Sequence, residues 1–136
     1  MLGKLFSWFF AELIYKEKVF GIALDEEVLL RAVAELKTKF FPRMGILMLT
    51  SKRLAFRSLD TVGLRPSWLG GKRTALDIPI RDIAGVTSGK KRVSPFDLVR
   101  LKILIVHLKE RDEPYTFVTP DSEIWRQRID EVRTRN

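Results

Sequence analysis

The stretch Gly45-Ile46-Leu47-Met48-Leu49-Thr50-Ser51-Lys52-Arg53-Leu54-Ala55-Phe56 decides how this chain is read. Its first half is a short apolar run that reads as a strand. Ser51-Lys52 then makes a tight turn, and Arg53 to Arg57 reads as the hairpin partner. Successive side chains of a strand alternate between faces, so Leu54 and Phe56 share one face and Arg53, Ala55 and Arg57 the other. Gly45 relieves crowding at the strand start, Thr50-Ser51 forms the turn, and Leu47, Leu49, Leu54 and Phe56 are expected to fill a core.

Upstream, Lys37-Thr38-Lys39-Phe40-Phe41-Pro42-Arg43 reads as a loop, because Pro42 cannot serve a central ladder. Residues 25–38 are ambiguous by pattern alone. Val28, Leu30, Ala32, Ala34 and Leu36 alternate as in a strand. Leu24, Val28, Ala32 and Leu36 also recur every four residues, and Ala, Glu and Leu favour helix. Downstream, residues 59–74 hold Gly63, Pro66, Gly70 and Gly71 around Trp68 and read as a long irregular loop. Short strands are expected at Ala75 to Ile80 and at Ile83 to Ser88, the latter followed by a basic run, Lys90-Lys91-Arg92. A long strand follows from Leu98 to Leu108, then a charged turn at Glu110-Arg111-Asp112-Glu113, then a last strand at Tyr115 to Val118. The C-terminus reads as a helix with Thr119 as N-cap and Pro120 in its first position. Trp125, Ile129 and Val132 form one apolar stripe, with Arg126, Arg128 and Arg133 on the outer face. Six or seven short strands followed by one amphipathic helix suggest a barrel whose opening the helix plugs.

Residues 1–15 stand apart as an apolar, aromatic segment. A spanning helix needs about 20 apolar residues, and here Glu12 and Lys16-Glu17-Lys18 intervene. A cleaved leader would need a basic start and a small-residue cleavage site, and neither is evident. An amphipathic helix over residues 1–18 fits better: Leu2, Leu5, Phe6, Phe9, Phe10 and Leu13 fall on one side. That face packs either on the domain's own core, on a second subunit or, with Trp8 at headgroup level, on a bilayer interface. The expected organisation is therefore this helix followed by one domain over 19–136.

Composition narrows the function. The chain has 136 residues, 46% hydrophobic, with 25 Lys+Arg against 17 Asp+Glu and a net charge of +8. One globular domain of this length buries roughly two-thirds of its unfolded surface and needs no staples. It has no cysteine and a single histidine, His107. Disulfides, thiolate metal sites, thiol catalysis and His-rich metal centres are thereby excluded. What remains is a basic domain suited to anionic partners.

The order of elements resembles the pleckstrin-homology superfold, and specifically its GRAM and bacterial PH-like branch. The hairpin at 45–56 is similar to the branch's G-x-L-x-L-T-x-x-R-L-x-F pattern. Ile78-Pro79-Ile80-Arg81-Asp82-Ile83 looks like its I-P-hydrophobic segment, and Trp125 with Ile129 like its terminal helix. Asp25-Glu26-Glu27-Val28 sits where such domains lead into their first strand, which favours a strand over 28–37. The resemblance covers about residues 20–134. It implies a mainly β fold with α: a partly open barrel of six or seven antiparallel strands capped by a C-terminal helix, plus the N-terminal amphipathic helix. It also implies a binding module for lipid or protein, with some relatives assembling into rings through sheet edges.

Three sets of residues are candidates for lipid or phosphate contact. Lys37, Lys39 and Arg43 flank Phe40-Phe41-Pro42, so rings could insert while charges meet anionic lipid, each contributing about 1 kcal/mol. In the competing reading Phe40 and Phe41 cap the barrel above a solvated rim. The spacing departs from the lysine-x-arginine pattern of phosphoinositide binders. Lys72-Arg73 and Lys90-Lys91-Arg92 form two further basic loops, which are either phosphate sites or ordinary solvated charge. Trp68, with Trp8, Phe9, Phe10, Phe40 and Phe41, is a candidate membrane or partner contact. Gly70-Gly71-Lys72-Arg73-Thr74 fails as a phosphate-binding loop because Pro66 and Arg73 occupy required Gly and Ser/Thr positions. No catalytic constellation emerges and no cofactor or metal is implied. The expected protein is a non-enzymatic module, cytoplasmic or peripheral at a membrane. Its partners are anionic phospholipid, a protein or further copies of itself; nucleic acid is disfavoured for want of a recognition motif.

Overall fold

The computed structural model describes residues 20–38, 42–58, 75–92 and 100–135. The N-terminal segment 1–18, Lys39, Phe40, Phe41 and the whole of 59–74 lie outside the described residues. Seven strands are described: β1 (Val28–Leu36), β2 (Arg43–Thr50), β3 (Arg53–Ser58), β4 (Ala75–Pro79), β5 (Ile83–Arg92), β6 (Arg100–Leu108) and β7 (Arg111–Val118), followed by helix α1 (Ser122–Arg135). Every pairing is antiparallel, in the order β4-β3-β2-β1-β7-β6-β5.

The decisive hairpin forms, with Leu47 opposite Phe56 and Leu49 opposite Leu54. Leu47, Leu49, Leu54 and Phe56 enter one large core, while Ile46, Met48 and Ala55 join Phe20 in a second cluster on the opposite face. β2 is thus buried on both faces, which explains why it is an unbroken apolar run rather than an alternating one. The ambiguous stretch before it is a strand, because β1 pairs along its length with β2.

Only Glu35↔Val118 and Leu36↔Phe117 join β1 to β7. Three strand spacings separate β3 from β7, roughly 14 Å in a flat sheet. Yet the rings of Phe56 and Phe117 lie 5.7 Å apart. The sheet therefore curls on itself into an open barrel. Trp125, Ile129 and Val132 of α1 complete its interior, all buried with Leu104, Val106, Ile80 and Ile83.

Four local expectations are corrected. The basic run Lys90-Lys91-Arg92 is not a loop after β5 but its end, in unbroken register with Lys102, Leu101 and Arg100. The charged turn is Lys109-Glu110, and β7 starts at Arg111. Pro114 is accepted there because β1 pairs with β7 only at 117–118, leaving no β1 partner for the missing N–H, and because the β6 register is irregular at this point. The helix starts at Ser122, with Trp125 N–H donating to the Asp121 carbonyl at 3.1 Å, so Pro120 precedes it. Thr119 does not cap: its N–H donates to the Lys102 carbonyl, and its buried hydroxyl has no partner among the described residues.

Gly45 is required by close approach. A Cβ there would lie 2.2 Å from the Arg57 carbonyl oxygen and 2.7 Å from Phe56 Cζ. Backbone cannot yield as a flexible side chain can, so Gly45→Ala is expected to destabilise the fold by about 3 kcal/mol. Chemical denaturation checks this; an unchanged midpoint would contradict the packing.

Candidate functional site

The acidic lead-in and the hairpin turn lock together. Thr50 ends β2 with its hydroxyl accepting the N–H groups of Lys52 and Arg53 at 3.2 and 3.1 Å. The same hydroxyl donates to Glu26 Oε2 at 2.5 Å. Arg53 donates through Nε to Glu26 at 2.8 Å, through Nη1 to Asp77 at 2.5 Å, and through Nη2 to the Phe20 carbonyl at 2.6 Å. Arg57 joins Asp77 by two bonds, at 3.0 and 2.9 Å, and lies over the Phe20 ring at 5.1 Å. Gly21, at φ 59, turns the backbone so that its carbonyl also reaches Arg53 at 3.3 Å. Lys52 pairs with Asp25 at the exposed edge of the network.

The Glu26 side chain is only 4% exposed. Burial by itself would raise its pKa. The hydrogen bonds from Arg53, Thr50 and the Ala23 N–H, together with the Arg53 charge, outweigh burial and hold the carboxyl below its ordinary value. In this network the acids and bases satisfy one another, which ties the lead-in to the hairpin and to β4. Sequence reading placed the acidic residues at the right point of the chain but missed their partner. The signal was Arg53 itself, a cation on the half-buried outer face of a hairpin.

The basic candidates are distributed differently. Lys37 is exposed, and its N–H donates to the Thr116 carbonyl at 2.9 Å. Arg43, half-buried, is the register partner of Leu36. Two residues along β2, Gly45 faces Ser58, and Arg57 faces Ala75. The stems of 37–42 and of 59–74 therefore emerge at the same end of β2 and β3. The structure brings the attachment points of the Lys37–Arg43 loop and of the segment bearing Trp68, Lys72 and Arg73 together, although those three residues are outside the described ones.

Lys90, Lys91 and Arg92 are elsewhere. Lys37 is level with Thr116, Ile105 and Thr87 across the sheet. Lys102, opposite Lys90, is two strands over and three residues further along, on the order of 14 Å away in backbone terms. Lys37 is thus set apart from Lys90 and Lys102. The arginines of α1 are committed to neighbouring acids: Arg126 to Glu123 and Asp130, Arg128 to Glu131, and Arg133 to Asp130 and the Ala84 carbonyl. Arg126, seconded by Ser88, lowers the Glu123 pKa to about 2. His107 is exposed on β6. Among the described residues there is no cluster of His, Cys, Asp or Glu able to hold a metal ion, and no helix long and apolar enough to cross a membrane.

Among the solved structures that share this architecture are pleckstrin-homology domains. The Vps36 N-terminal PH domain matches with a TM-score of 0.61 at 14% identity, covering 84% of this chain and 83% of that one. A pleckstrin-homology domain from Shewanella amazonensis matches at 0.55 and 18% identity, covering 89% and 96%. The hSac2 domain from human phosphoinositide phosphatase Sac2 matches at 0.55 and 12% identity, covering 90% and 77%. The chain has a pleckstrin-homology-like fold. No established family profile and no curated protein matches its sequence.

Because the folded Glu26 pKa is depressed, its stabilisation is present above the unfolded value and lost as pH falls through the folded one. Glu26→Gln is expected to cost about 2 kcal/mol near neutrality, and the gap from wild type should close as pH drops below the ordinary carboxylate range. Urea midpoints measured across acid pH test this; a gap independent of pH would show that the Glu26 charge is not what holds Arg53.

Proposed function

We propose that the protein is a non-enzymatic pleckstrin-homology-like module of the GRAM or bacterial PH-like type. It associates with anionic membrane lipid or a protein partner through its basic loops and the segment 1–18. The observation that carries the reading is the convergence of two stems at one end of β2 and β3. One belongs to the loop bearing Lys37, Lys39, Phe40, Phe41 and Arg43; the other belongs to the segment bearing Trp68, Lys72 and Arg73. Cations beside aromatic side chains suit a headgroup interface, where charge meets phosphate and rings enter the acyl boundary. The fold it shares with a domain of a phosphoinositide phosphatase is compatible with that use.

The protein is expected to float with anionic vesicles and not with neutral ones. Paired Lys37→Glu and Arg43→Glu substitutions should weaken that association by at least tenfold, since each cation near an anionic leaflet contributes about 1 kcal/mol. Removal of residues 1–18 should weaken it further. Failure of the full chain to float with anionic vesicles would sink the membrane version.

A second reading, an oligomer built through sheet edges, has its own support. β5 is a ten-residue strand at the end of the sheet order. Light scattering separates the two, because a strict monomer over a wide concentration range removes the oligomer.

A further inference from the structure

Between Lys90 and Lys102 the chain holds five cations and one carboxylate, so this short span carries half of the net charge of +8. The β5–β6 register sorts those charges into rows. Lys90 is the partner of Lys102, and Arg92 of Arg100. Residues two apart on a strand share a face, so both rows belong to one face, about 7 Å apart along the strands. It is the face of Val86, Leu104 and Val106, which line the barrel interior. Helix α1 reaches along it as far as the row of Ser88 and Leu104, where the Ser88 hydroxyl donates to Glu123 in the first turn of the helix. Lys90 and Lys102 occupy the next row, beyond the helix, and both are exposed.

Like charges directly opposite each other in an antiparallel pair are destabilising. Arg53, Arg57, Arg126, Arg128 and Arg133 each face a carboxylate. Neither Lys90 nor Lys102 has such a partner among the described residues, and Glu123, one row away, is already held by Arg126 and Ser88. The opposed cations of the Lys90 and Lys102 row therefore disfavour folding, and an anion lying over them would relieve that repulsion.

We propose that this face of β5 and β6 is a phosphate-binding ladder that meets the headgroup phosphates of an anionic bilayer. The row at Lys90 and Lys102 is open to solvent and offers two ammonium groups to phosphate. The proposal shares with the preceding section the reading that the domain meets anionic lipid, but it uses different residues at a different place.

The test compares the full chain with Lys90→Glu, Lys102→Glu and the paired Lys37→Glu, Arg43→Glu form. Each is checked for folding by circular dichroism and measured against phosphatidylcholine vesicles with and without phosphatidylserine. Lys90→Glu and Lys102→Glu should each weaken binding to the phosphatidylserine vesicles by about tenfold. Lys102→Glu should also raise Tm by about 1–3 °C, since an attractive cross-strand pair replaces a repulsive one. A site kept for its ligand thus gains stability when it loses function. Unchanged vesicle affinity in both single variants, or a lower Tm in Lys102→Glu, overturns the ladder. If only the paired Lys37 and Arg43 form loses binding, the ladder fails and the loop reading stands; the reverse pattern fails the loop and supports the ladder. If no form binds, both fail. Inositol hexakisphosphate forms the soluble arm: binding that phosphate while ignoring the vesicles overturns the lipid assignment.

Discussion

Arg53 holds three separate parts of the chain in one place. Its guanidinium joins Glu26 in the lead-in to β1, Asp77 in β4 and the backbone carbonyls of Phe20 and Gly21. The side chain is 18% exposed, so these bonds form in a setting where an unpaired charge would be expensive. Removing Glu26 would leave the largely buried Arg53 short of its main counter-charge, and removing Arg53 would leave the Glu26 carboxylate buried and uncompensated. The lead-in is thereby fixed against the hairpin, Phe20 closes the outer apolar cluster over Ile46, Met48 and Ala55, and Arg57 settles against the Phe20 ring. The outer face of β2 can be apolar because this clamp keeps a lid on it.

The inner face follows a different logic. It needs no buried charge: the curled sheet and the stripe of α1 bury aliphatic and aromatic side chains from both halves of the barrel. Polar groups at its margin serve the helix, through Ser88 to Glu123 and Arg133 to the Ala84 carbonyl. The protein's positive charge therefore divides in two. One part is neutralised by specific carboxylates and belongs to the architecture. Lys90 and Lys102 belong to the other, facing each other beyond the helix, and net charge alone could never make that division.

Much of the fold was legible because it rests on local rules. The apolar run at 46–49, the turn at Ser51-Lys52 and the alternation at 53–57 together read as a hairpin, Gly45 marks a place where backbone must come close, and the spacing of Trp125, Ile129 and Val132 sets the buried face of α1. The errors have a common physical source. Lys90-Lys91-Arg92 looks like a solvated loop because charge runs usually are, yet cross-strand hydrogen bonding with β6 carries the strand through it. Thr119-Pro120 has the residue types of a helix start, but the Thr119 hydroxyl caps no amide among the described residues and the first helical bond runs from Trp125 N–H to the Asp121 carbonyl, so the helix begins later. Glu110-Arg111-Asp112-Glu113 has the composition of a turn, yet pairing with β6 carries the strand back to Arg111.

The sequence by itself determined most of the strands and the apolar stripe of the helix, because periodicity is written in consecutive residues. It also showed an excess of positive charge and no cysteine for thiol chemistry. Tertiary structure alone decided which charges are spoken for. Glu26 and Arg53 are 27 positions apart along the chain, as the lead-in and the hairpin are, yet they share hydrogen bonds. Lys90 and Lys102 become neighbours only through the β5–β6 register. Pairing depends on distance in space, and no pattern within a segment encodes the distance between segments.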